Sequence, residues 1–184
     1  MKTALLASYA KDEPLLHLAT LLQKNNWSLM GSAGTAKFLA EKGIPCLDVA
    51  EIVGAPILGH RVVTLSREIH AGLLSRDEDA TELEKLGIPR IDLVYVTLYP
   101  LEKTIADGGT PQDVIEKTDI GGPTLLRAAA KGGRIVLSDP AQIDAAEQLI
   151  RGEADEPLRI KFAAAAERRC ADYIGISADY WERQ

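Results

Sequence analysis

The chain has 184 residues, 46% of them hydrophobic, and carries 27 acidic against 21 basic side chains for a formal net charge of −6. This length and apolar content fit a single domain spanning 1–184 with a proper core, and the acidic balance argues against nucleic acid or an anionic membrane as the main partner. Cys46 and Cys170 are too few and too distant for a disulfide framework or zinc cluster, and the histidines show no ligand spacing, so a reduced cytoplasmic protein without metal or other cofactor is expected.

In chain order, Thr3–Ala7 is a short apolar run that reads as a buried strand, and it ends before Lys11-Asp12-Glu13-Pro14, far short of a membrane span. From Asp12 onward Leu15, Leu18, Ala19, Leu21 and Leu22 follow helical spacing. Trp27–Met30 predicts a second strand, followed by the turn Gly31-Ser-Ala-Gly-Thr35 and a helix from Thr35 or Ala36 to Lys42, closed by Gly43. Ile44–Val49 is a further strand candidate and Val62–Leu65 a weaker one, ahead of the segment Ser66–Leu74. A charged helix is expected at Asp79–Leu86, ended by Gly87 and Pro89. Leu93–Leu98 is the best strand by its β-branched and apolar content and runs into Tyr99-Pro100. Pro111–Lys117 predicts a short helix. A second follows the glycine pair Gly121-Gly122, with Pro123 at its first position and Lys131 at its end. Arg134–Leu137 reads as a strand, and Ala141–Arg151 and Pro157–Gly175 as helices. Strands alternating with helices imply an α/β three-layer sandwich with a mostly parallel sheet, whose ligands sit beyond the strand C-termini.

Two turns at that edge suit an anion. Ser32, Gly34 and Thr35 offer hydroxyls and backbone N–H groups at a helix start, with Lys37 just inside. In Asp119-Ile-Gly-Gly-Pro-Thr-Leu-Leu-Arg-Ala-Ala-Ala-Lys131, Gly121 and Gly122 permit close backbone approach, Thr124 opens the helix, and Arg127 and Lys131 share one side. Two such turns point to a phosphorylated small molecule. Arg61, Thr64, Arg67 and His70 crowd the segment after Gly59-His60, either as a phosphate grip or as a polar surface loop. Tyr99 is held at the ligand edge, where its phenol can meet a substrate or simply keep a wet tip. Asp119 can accept substrate protons or serve as a plain helix cap.

Together these segments resemble the IMP cyclohydrolase domain, the N-terminal half of the bifunctional AICAR transformylase/IMP cyclohydrolase. The resemblance rests on Leu5-Leu-Ala-Ser8 with Lys11, Gly31-Ser-Ala-Gly-Thr-Ala-Lys37, Gly59 to Leu65, Ile69-His-Ala-Gly-Leu-Leu74, Ile91-Asp-Leu-Val94, Leu98-Tyr-Pro100, Asp119 to Lys131 and Asp139-Pro140. It implies a methylglyoxal synthase-like fold, a cytoplasmic homodimer and closure of FAICAR to IMP with loss of water. By similarity Ser8, Lys11, Ser32, Gly34, Thr35, Arg61 and Thr64 hold the nucleotide. The Gly121, Gly122 and Thr124 amides face the reacting ring, and Tyr99, Asp119 and Lys131 are the catalytic matches. A separate AICAR transformylase is an implied partner.

The sequence also departs from that pattern. Where the family reads Arg-Val-Lys-Thr-Leu-His-Pro, this chain has Arg61-Val-Val-Thr-Leu-Ser-Arg67, so a family catalytic lysine is Val63. The family Asn before Leu-Tyr-Pro is Thr97, Asn-His after Lys131 is Gly132-Gly133, and Val-Ser-Asp-Lys-Thr has become Ala7-Ser-Tyr-Ala-Lys-Asp12. Three readings stay open: a cyclohydrolase in which Arg67 or Lys37 replaces the missing lysine, a paralogue acting on a different aminoimidazole ribonucleotide, and a regulatory module that binds a purine nucleotide without chemistry.

Overall fold

A computed structural model describes residues 1–59 and 61–184. Five strands form one all-parallel sheet in the order β3-β2-β1-β4-β5: β1 Thr3–Ser8, β2 Ser28–Gly31, β3 Leu47–Asp48, β4 Leu93–Thr97 and β5 Ile135–Leu137. One row across its centre joins Met30, Leu5, Val94 and Val136 in register, and all four are buried. Leu93 through Val96 are buried without alternation, because helices cover both faces of a parallel sheet.

Two helices, α1 (Glu13–Lys24) and α9 (Ile143–Arg151), pack on each other over one face. The Trp27 indole N–H, donating to the Ile150 carbonyl at 3.0 Å, ties that layer to the start of β2. On the other face α8 (Gly121–Lys131) packs between α4 (Arg67–Leu74) and α10 (Glu156–Trp181). Shorter helices complete the fold: α2 (Ala33–Glu41), α3 (Ala50–Val53), α5 (Ala80–Leu86), α6 (Leu101–Ala106) and α7 (Pro111–Lys117). The expected three-layer α/β sandwich is present.

Several elements differ from expectation. The strand expected over Ile44–Val49 pairs only at Leu47 and Asp48, since Pro45 has no N–H to donate to a ladder. Val62–Leu65 forms no strand; Val62 makes one isolated antiparallel bridge to Ile57, next to Leu58 and Gly59 in left-handed conformations (φ 53° and 76°). The segment after it, to which the sequence assigned no element, is a helix, α4, capped by Ser66, whose Oγ accepts from the Ile69 amide at 3.1 Å. Among the described residues α3 and α6 were not anticipated, and α10 continues past Gly175 because Tyr180 beyond it is still buried.

Candidate functional site

The strands β1, β2 and β4 end together, and their C-terminal edge opens into a cavity of about 480 Å³. Ten of the expected residues line it: Ser8, Lys11, Ser32, Gly34, Arg61, Thr64, Tyr99, Asp119, Gly121 and Gly122. One wall comes from the β1 end and the α2 start. There Ser8 is buried, its hydroxyl 2.6 Å from that of Thr97 and donating to the Ala10 carbonyl at 2.7 Å. Lys11 donates its ammonium to the carbonyls of Ser8 and Tyr9 and lies against Gly34. Burial lowers the pKa of Lys11, and Asp12 beside it acts the other way.

Thr35 stands behind that wall. It is fully buried, and its Oγ1 accepts from the Ser8 amide (3.3 Å) and the Ser32 hydroxyl (3.1 Å), so it brackets α2 onto β1 rather than lining the cavity.

Asp119, Gly121 and Gly122 form the facing wall. The helix α8 begins at Gly121, two residues before the Pro123 start read from sequence. Pro123 is tolerated there because no amide of the first turn has an intrahelical acceptor. The residue preceding the helix, Ile120, offers no side-chain cap, and Asp119 supplies it: its Oδ1 accepts from the Gly122 amide at 2.8 Å, while the Gly121 and Tyr99 amides also face the carboxylate. A side chain at Gly122 would overlap that carboxylate and Leu98. Burial nevertheless raises the pKa of Asp119, with these amides pulling the other way. Tyr99 likewise has its phenol pKa raised by burial, then by the nearby charge of Asp119 and by Tyr9.

Other expected residues lie elsewhere. Lys37 is exposed, and Arg67 is exposed beside Glu68 at 3.2 Å; neither lines the cavity, so neither takes the place of the missing lysine. Arg127 points away toward α10, pairing with Glu167 at 3.3 Å. Thr124 turns its hydroxyl back to the Ile120 carbonyl at 2.7 Å. Lys131 is exposed at the opposite end of α8, roughly 15 Å from Gly121 at about 1.5 Å rise per residue, beyond reach of its own chain's cavity. His70, grouped with the cations in sequence, sits on α4 with Nδ1 2.8 Å from the Ser66 carbonyl; His60 lies outside the described residues.

Two further residues shape the site: Val63, already marked as a departure from the family pattern, and Tyr173, which was not singled out from sequence. Val63 lines the cavity and packs against the core, so that position presents hydrocarbon. Tyr173 on α10 is buried; its hydroxyl donates to the Lys117 carbonyl (2.9 Å) and accepts from the Asp119 amide (2.8 Å), fixing the approach to α8. The sequence reads this stretch only as a helix, with nothing to signal a link from Tyr173 to Asp119.

Comparison with known proteins agrees with this architecture. The model of the MGS-like domain family matches residues 14–124. The chain belongs to the MGS-like domain family. Among curated relatives, the bifunctional purine biosynthesis protein PurH of Aquifex aeolicus is 41% identical over 187 residues, covering 98% of this chain and 37% of the relative. PurH of Thermosynechococcus vestitus is 42% identical over 188 residues, covering 97% and 36%. This MGS-like chain thus spans little more than a third of the length of those relatives. The crystal structure of ForH superimposes with a TM-score of 0.81 at 32% identity, covering 98% of both chains. The family expected from the Asp119–Lys131 signature is the one found.

Proposed function

We propose that the cavity binds a phosphorylated aminoimidazole carboxamide and closes its second ring, converting FAICAR to IMP and water. The reading is carried by one observation: a half-buried carboxylate and a phenol, Asp119 and Tyr99, line the same cavity, opposite a wall of hydroxyls and cations suited to a phosphate. Kinship with purine biosynthesis proteins supports the substrate class.

Nucleophile and electrophile sit on one molecule, so the site's first task is to hold the carboxamide against the formyl group. Lys11, Arg61 and the hydroxyls of Ser32 and Thr64 would grip the nucleotide's phosphate and ribose. As the carboxamide nitrogen bonds to the formyl carbon, the nitrogen gives up one proton and the formyl oxygen takes a second to become a hydroxyl; that hydroxyl then leaves as water on taking the proton that the formamide nitrogen releases as the ring C=N bond forms. Asp119, its proton affinity raised by burial, accepts the first. Tyr99, kept protonated at neutral pH by the same burial, donates the second. Lys131 has no part in the chemistry of its own chain's cavity. Under this reading a transformylase activity supplies FAICAR.

Val63 favours a second reading, in which the same ring chemistry acts on a different aminoimidazole-type nucleotide, because hydrocarbon replaces an ammonium beside the substrate. Mixing the purified protein with FAICAR and following the ultraviolet absorbance of IMP formation tests the first reading. Turnover well above the uncatalysed rate is expected; background turnover by the native chain, together with activity gained on Val63→Lys, would instead assign it a different substrate.

A further inference from the structure

Beside the cavity lies a cation that neither the motifs nor the family pattern singles out. The ammonium of Lys117, the last residue of α7, is 5.6 Å from the Tyr9 ring centroid and 5.9 Å from that of Tyr99. Those two rings, both lining the cavity, stand 5.2 Å apart at 59°. Among the described residues no carboxylate lies within ion-pair distance of Lys117.

Each member of this group is held from behind. The Lys117 carbonyl is bound by the Tyr173 hydroxyl, which also receives the Asp119 amide two residues on. Tyr9 donates its amide to Thr97 Oγ1 at 2.8 Å, and that hydroxyl in turn pairs with Ser8 at the end of β1. Tyr9 and Thr97 both stand where the sequence leaves the family pattern, and the structure joins them in one hydrogen bond. A changed loop, a changed strand end and an unpaired lysine therefore meet on one side of the cavity.

We propose that Lys117 is a positioning residue of this site, its ammonium clamping the Tyr9 and Tyr99 rings into one wall and easing proton loss from the Tyr99 phenol. The inference rests on Tyr99 acting as the proton donor of ring closure. A cation over a ring face is attracted by the ring's electrons, and more strongly once the phenol ionises. The groups facing Tyr99 are Asp119, Tyr9 and Tyr173, with Lys117 as the neighbouring cation over its ring. Asp119 and burial make the phenol hold its proton; Lys117 opposes them, which makes Tyr99 the better acid. Removal of the family lysine at position 63 thus leaves a cation acting on the site through an aromatic pair.

The test follows phenolate absorbance against pH in the protein without nucleotide. In a Tyr9→Phe background, the difference from Tyr9→Phe/Tyr99→Phe isolates Tyr99. Adding Lys117→Met is expected to move that titration upward by about half a pH unit, and Lys117→Arg to leave it in place. An unchanged Tyr99 titration on Lys117→Met overturns the proposal. So does an equal shift with Lys117→Arg, which would show that a charge at this position is not what matters. In turnover, Lys117→Met should lower kcat severalfold with little change in KM, and Lys117→Arg should restore it. The titration needs no substrate, so a chain that ignores FAICAR yet shows the shift keeps the wall and loses only the substrate. FAICAR turnover with no shift does the reverse.

Discussion

Asp119 performs two tasks with one carboxylate. It caps α8 through the Gly122 amide and faces the cavity while largely removed from water. Because its folded-state pKa lies above its unfolded value, the folded chain binds this proton more tightly than the unfolded chain does. The resulting stability is fully present below the unfolded pKa and is lost as pH rises through the folded one. Wherever Asp119 is ionised in the folded chain, its removal from water therefore costs stability. Asp119→Asn, which keeps an oxygen for the Gly122 amide, should leave the thermal midpoint equal or higher while lowering turnover by about two to four powers of ten; a kcat within twofold of the native value would remove Asp119 from the reaction. For the same reason activity should fall on acidification at a higher pH than an ordinary aspartate would give. At this scale much of the site was legible: Ser8, Lys11, Ser32, Arg61, Tyr99 and Asp119 were all named from motifs and meet in the cavity. Lys37, Arg67, Arg127 and Lys131 were not placeable, because a motif records spacing along the chain and not which side of a helix meets the cavity.

Among the elements, α7 was read to the residue because its boundary is written locally: Thr110 and Asp113 form a reciprocal capping box, with Pro111 between them. The helix α4 was missed because it is short, eight residues, and its stability comes from tertiary contacts at its far end. There the buried Arg134 guanidinium donates to the carbonyls of Leu73 (2.7 Å) and Ser75 (2.5 Å), satisfying the end of α4 from the start of β5. Gly132, where the family has a larger residue, leaves room for the Leu73 carbonyl, against which any side chain would collide. Gly132 thus serves the packing of α4 against the end of α8. Arg134→Ala strips buried carbonyls of their donor and should cost about 3 kcal/mol, seen as a lower urea midpoint with the slope retained; a loss near zero would show that water reaches those carbonyls.

On the scale of the whole molecule, the sheet order and layers followed from the alternation of strands and helices. What the alternation could not convey was that α10 belongs to the site. The Tyr173 hydroxyl links it to Asp119, and burial pushes its pKa up to about 12, so it remains a neutral donor and acceptor. Tyr173→Phe leaves the Asp119 amide and Lys117 carbonyl unpartnered, and should cost about 1–3 kcal/mol. Turnover should fall roughly tenfold or more as Asp119 and Lys117 lose their register, whereas an unchanged kcat would mean that the α8 cap alone sets the geometry.

That one hydroxyl also imposes an order in time. During synthesis the strands, the cavity wall and Asp119 all emerge before Tyr173 does, so a growing chain can assemble its sheet while the approach to α8 is still loose. Under the role proposed for Asp119, the geometry of the site is complete only once α10 has docked.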